Sequence, residues 1–230
     1  MTLTWAKPAA PAGIEDVLAQ MRMLDGALPP RDGVHVFNRV YLRVTERVAE
    51  QAGGGGFTDG AAATELAVRF AARYLAAVDH TAAGRQPPAC WRPLFQLRGH
   101  PAVQPLQFAL AGINAHIGHD LALALVDTCR ALRARPHLLE ADFDRVGGLL
   151  VAMEERIRED LMPGPDLLDV ADPLTHLVGS WSLQAARRGA WASFRALWAV
   201  RGLPDVAEEL TGRIDSSVGL VGRCLLTPLG

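Results

Sequence analysis

Residues 105–134 read PLQFALAGINAHIGHDLALALVDTCRALRA. The run is apolar nearly all round a helical wheel, which in a soluble protein marks a helix covered on several sides. It predicts an all-α fold: a single-domain bundle of about seven helices around a central apolar helix at about 105–133. Asn114, His116, His119, Asp120 and Asp127 interrupt this run. At about 100° per residue, with His116 as zero, Asp127 falls near 20°, Asp120 near 40° and His119 near −60°, so four ionisable groups share one face and Asn114 lies opposite. His116 and Asp120, at i and i+4, have Cβ atoms about 6 Å apart, close enough to share a proton or a metal ion. His119 stands about 100° round from Asp120, which predicts little coupling between those two.

Outward from the central helix, glycine and proline cut the chain into long segments rich in Ala, Leu and Arg with few β-branched runs. A first helix runs from Ile14 to Leu28, with Glu15 and Asp16 near its positive end and Pro29-Pro30 stopping it. DGVHVFNRVYLRVTERVAEQA (32–52) places Val34, Phe37, Val40, Tyr41 and Val44 on one face of a second helix, which the Gly53–Gly56 tract ends. A third spans Asp59 to Asp79, and Gln86–Arg92, with Pro87-Pro88, reads as a stiff loop. After the central helix, Asp142 or Asp144 is expected to cap a helix reaching Leu161, before Pro163-Gly-Pro165. Asp172-Pro173 is a cap followed by a first helical position for a helix to Arg201, and a last helix runs from Asp205 to Leu225. No linker separates two apolar sets, so residues 1–230 read as one domain with 1–12 as a flexible lead.

Composition sets limits on the partners. Half of the 230 residues are apolar, and 25 acidic residues against 23 basic ones give a formal charge of −2. That balance offers no basic footprint for nucleic acid or an anionic membrane. The N-terminal residues lack the basic-then-apolar pattern of a secretion signal, and no 18-residue uncharged apolar run occurs, which predicts a cytoplasmic protein without membrane insertion. Cys90, Cys129 and Cys224 are far apart and have no CxxC spacing, so they read as reduced thiols.

Three chemistries fit the polar face of the central helix. One is a satisfied buried network in which Asp120 accepts from His116. Another is an acid–base dyad, with the carboxylate fixing the imidazole tautomer and the other ring nitrogen moving a substrate proton. The third is a divalent metal site for zinc, iron or manganese on His116, Asp120 and His119, completed from another helix by His35, by Asp79-His80 or by His176. The spacing does not match the HExxH pattern or its reverse.

Further polar and aromatic groups are candidates for substrate binding: Asn38, Arg39 and Tyr41 on the second helix, Trp91 as a pocket lid or a pinned loop, and Trp181 and Gln184. Ser180, Gln184 and Arg187 or Arg188 form a stripe that suits an anionic group or a solvated face. Trp191 and Trp198 read as packing anchors. There is no GxGxxG, Walker A, GxSxG, DDxxD-like or clustered Cys/His motif, which weighs against nucleotide-dependent and serine-hydrolase chemistry.

At FNRVYLRVT (37–45), WRPLF (91–95) and NAHIGHDL (114–121), the chain resembles a family of bacterial helical proteins catalogued as a domain of unknown function. The motif is NAHIxxDL, with Asn common in the family at the position of Gly118. The resemblance extends from the first helix to SWSLQAARRGAW (180–191) and implies a helical fold with its focus on His116 and Asp120. Together these readings predict a small-molecule enzyme with a His/Asp site, metal-dependent or acid–base, acting on a small apolar or amphipathic molecule between helices. The alternative is a non-catalytic binding protein for an apolar metabolite or lipid, with the His/Asp face purely structural.

Overall fold

The computed structural model describes residues 8–161 and 182–228. Among the described residues eight helices follow one another: α1 (Ile14–Ala27), α2 (Gly33–Gly53), α3 (Gly60–Ala82), α4 (Arg92–Leu97), α5 (Pro105–Ala131), α6 (His137–Leu161), α7 (Leu183–Ala199) and α8 (Pro204–Leu225). No strand occurs among the described residues. Among the described residues the helix that was not expected is α4, a single short element opened by the Trp91-Arg92-Pro93 turn, in which Pro93 occupies a first-turn position that needs no N–H. The Asp172-Pro173 start lies outside the described residues.

Caps fix the helix starts. Asp32 accepts from the Val34 N–H at the head of α2, and Asp59 accepts from the Ala62 N–H at the head of α3. The sequence reading of Asp142 and Asp144 as starts of α6 is corrected. The helix begins a turn and a half earlier, at His137, and Asp142 reaches sideways to accept the N–H groups of Thr58 and Asp59. A capping carboxylate thus serves the neighbouring helix rather than its own.

Helix α5 is central, as its composition predicted. It is long and apolar enough to cross a membrane, yet 83% of its apolar window is buried inside the bundle. Pro105–Ala115 packs on α2 and α8, and Leu121–Ala131 packs on α3 and α7. Between them His116–Asp120 forms a π turn, in which the Leu121 N–H reaches back to the His116 carbonyl. The turn also divides the core: Leu106, Phe108 and Ala115 join Phe37, Tyr74 and Trp91, while Ile117, Leu121 and Leu125 join Phe143 and Phe194. Close approach of α2 and α5 depends on Gly112, where a Cβ would run into the Phe37 ring.

Candidate functional site

The π turn gathers the polar face. Asp120 is 2% exposed and receives three ring N–H groups: its Oδ2 lies 2.9 Å from Trp91 Nε1 and 3.0 Å from His116 Nδ1, and its Oδ1 lies 2.8 Å from His119 Nδ1. The contact with His119 corrects the expectation of weak coupling. Residues i and i+1 of a regular α-helix diverge, but inside the widened π turn both side chains converge on one carboxylate. Burial alone would push the Asp120 carboxyl up; the hydrogen bonds from His116 and His119 outweigh it and hold the group below the usual carboxylate range. Burial pulls the His116 imidazole below its ordinary value despite the Asp120 bond. The pair therefore stands as a carboxylate and a neutral imidazole that donates from Nδ1.

An aromatic box surrounds His116. Phe70 stacks on the ring at 3.5 Å between centroids, Tyr41 meets it edge-on at 4.4 Å, and the Phe37, Tyr74 and Trp91 rings stand further off, at 5.9, 6.2 and 5.9 Å. Burial also raises the Tyr41 and Tyr74 phenols well above their usual range, so both stay neutral. His116 Nε2 is buried and has no hydrogen-bond partner. The ring forms part of the wall of a cavity of about 120 Å³ between α2, α3, α5, α6 and α7, whose wall is otherwise mostly Val, Leu, Ile, Ala and Phe. Asp120 and Trp91 are not in that wall.

On the other side of Asp120 lies a second group that the sequence did not reveal. Cys90, His119 and Asp120 offer ligand atoms within 4.8 Å of one another, all buried. Asp215 of α8 stands beside them, 3.9 Å from His119 Nε2, and its two oxygens accept the N–H groups of Ala89 and Cys90 at 2.8 Å. This thiol, imidazole and carboxylate set suits zinc better than magnesium or calcium. Against such a fit, both Asp120 oxygens already accept N–H groups, and burial, reinforced by Asp120 and Asp215, keeps the Cys90 thiol protonated. The metal-capable group includes His119 and Asp120 but not His116, whose Nδ1 is held by Asp120 and whose Nε2 faces no second donor.

The sequence model of one protein family, described as a family of unknown function (DUF5995), matches residues 14–228. The chain belongs to that family. No curated protein and no solved structure matches it.

In this DUF5995 chain the remaining sequence candidates scatter. Trp91 is fully buried and pinned to Asp120, so of its two expected roles it takes the pinned loop and not the lid. Asn38 is buried between helices, donating to the Met21 carbonyl at 2.9 Å, while Tyr41 lines the cavity. Arg39 and Gln184 are exposed and lie off the cavity, because each occupies the solvent side of its helix. Asp127 also faces α3, two to three turns beyond His116, but it is bound to Arg73. His35 is held by Asp25, 3.2 Å from its carbonyl, and His80 ends α3 away from the cluster. Asn114 turns to α8 and donates to the Val218 carbonyl at 3.0 Å. Trp181, His176 and Ser180 lie outside the described residues. Cys90, Asp215 and Phe70 were missed; Cys90 adjoins Trp91, and that adjacency was the one sequence signal available.

Proposed function

We propose that this protein is a small-molecule enzyme whose reaction turns on proton transfer at Nε2 of His116, with the substrate held in the apolar cavity beside it. One combination on a single ring supports the reading: Nδ1 bound to a buried carboxylate, Nε2 buried without a partner, and the ring set in a cavity wall. Asp120 selects the tautomer that leaves the lone pair on Nε2, and its negative charge stabilises the imidazolium formed when substrate gives up a proton. Positioned bases of this kind contribute roughly 10²–10⁴ in rate. This step asks nothing of a metal; zinc, iron or manganese at Cys90, His119 and Asp120 would be a separate feature on the far side of the carboxylate. A cytoplasmic setting is part of the same reading.

The apolar character of most of the cavity wall favours one second reading, a non-catalytic binding protein for an apolar metabolite or lipid. The two are separated by incubating wild-type protein and the His116→Gln variant with a metabolite extract in heavy water, followed by mass spectrometry. Turnover or deuterium incorporation in wild type alone supports the enzyme. Ligand capture by both proteins without chemistry supports the binding protein, and neither outcome in either protein removes both readings.

A further inference from the structure

Proton transfer at His116 leaves Arg187 unused. This residue stands in the first turns of α7, is 9% exposed, and lines the same cavity as His116. One guanidinium N–H donates to the backbone carbonyl of Phe143, and the guanidinium carbon lies 4.4 Å over the Phe143 ring. Among the described residues no carboxylate forms an ion pair with it. Asp144 acts on it only through space, and Asp142, in the same cavity wall, is engaged by the N–H groups of Thr58 and Asp59 and by Arg145.

A guanidinium has five N–H donors and remains charged, so one carbonyl and one ring face leave most of its donors and its charge open to a ligand. The fold makes room for it. Residue 147 is glycine, and a Cβ there would collide with the guanidinium group. A lone buried cation with apolar walls beyond it is complementary to one negative charge followed by an apolar body.

We infer that the cavity takes an amphipathic monoanion, a carboxylic acid with an apolar body, whose carboxylate pairs with Arg187 and whose body runs along the apolar wall to His116. This rests on the cavity of the proton-transfer reading and adds its substrate class. A carboxylate matches the planar fork of the guanidinium, and its single charge balances the single cation. A phosphate dianion would leave excess charge in an apolar wall.

The test measures binding of decanoate and of 1-decanol to the full chain by calorimetry, in wild type, Arg187→Gln and Arg187→Lys. The inference expects decanoate to bind wild type about 10- to 100-fold more tightly than the alcohol, a preference lost in Arg187→Gln and partly kept in Arg187→Lys. Equal binding of acid and alcohol by wild type overturns the role of Arg187 and leaves the cavity reading standing. Binding of neither overturns the cavity itself. Should Arg187→Gln fail to fold, the acid-to-alcohol ratio in wild type and in Arg187→Lys decides the matter alone.

Discussion

The imidazole of His116 lies flat on the phenyl ring of Phe70, with centroids 3.5 Å apart and planes 5° from parallel. Together with the 3.0 Å bond from Nδ1 to Asp120, the stack fixes the ring in both tilt and rotation. The direction of Nε2 is thus set before any ligand arrives, the pre-organisation that proton transfer requires. Replacing Phe70 with Leu keeps an apolar wall but removes the stack. The His116 pKa, followed by ring-proton NMR, should then rise towards the ordinary histidine value as water gains access; an unchanged titration would show that the stack does not protect the ring.

Loss of the Asp120 carboxylate should be the most damaging change in the site. Asp120→Ala strands three buried donors, on Trp91, His116 and His119, and should cost about 3–5 kcal/mol in urea unfolding. Asp120→Asn keeps an acceptor for some of them and should cost about 1–3 kcal/mol while lowering the basicity of His116. If both variants unfold at the wild-type urea concentration, the carboxylate is not the hub described here.

His119→Asn should fall between these variants and wild type, because Trp91 and His116 still hold the other Asp120 oxygen. A loss of about 1–2 kcal/mol is expected, with the His116 titration little changed. A His116 pKa that moves as far in His119→Asn as in Asp120→Asn would contradict this division of roles.

Acid should destabilise the protein before its carboxylates titrate. Burial depresses the folded pKa of His116 below its ordinary 6.5, so under that pH the unfolded chain binds a proton the folded one refuses. Stability contributed by keeping the ring neutral is complete above pH 6.5 and falls by up to about 1.4 kcal/mol per pH unit below it, until the folded pKa is reached. Asp120, also depressed, adds its own loss only below the ordinary carboxyl value near 3.8. His116→Gln should flatten the stability profile on the acid side of pH 6.5, measured by urea unfolding at a series of pH values.

Elemental analysis of protein purified without a histidine tag should find less than one equivalent of zinc, iron or manganese. Both Asp120 oxygens and both Asp215 oxygens already accept N–H groups, so an ion at Cys90 and His119 would have to break bonds that the fold has made. One full equivalent of zinc that is lost in Cys90→Ser would reverse this assignment.

The all-helical fold and the burial of α5 were legible because apolar periodicity is a local property of sequence. So was the His116–Asp120 pair, since i and i+4 meet on any helix. Three features were not legible. The π turn depends on how two packing interfaces are reconciled, and no propensity marks it. Cys90 and Asp215 reach the site through the loop before α4 and the last helix, contacts of long sequence separation. Arg187 and Arg188 look alike in the sequence, and only the packing of α7 on α6 decides that Arg187 is turned inwards and Arg188 outwards.

The π turn carries one more consequence. By lodging an extra residue in a single turn, it offsets the azimuth of Leu121–Ala131 from that of Pro105–Ala115. Winding the same residues as an unbroken α-helix would swing everything downstream of the turn by about 100°, taking Asp127 away from Arg73 and Leu125 away from its neighbours. The step therefore works as a phase joint. Substitutions that adjust how one half of the helix seats on its partners need not be answered in the other half, and His116 and Asp120 occupy the joint where the two settings meet.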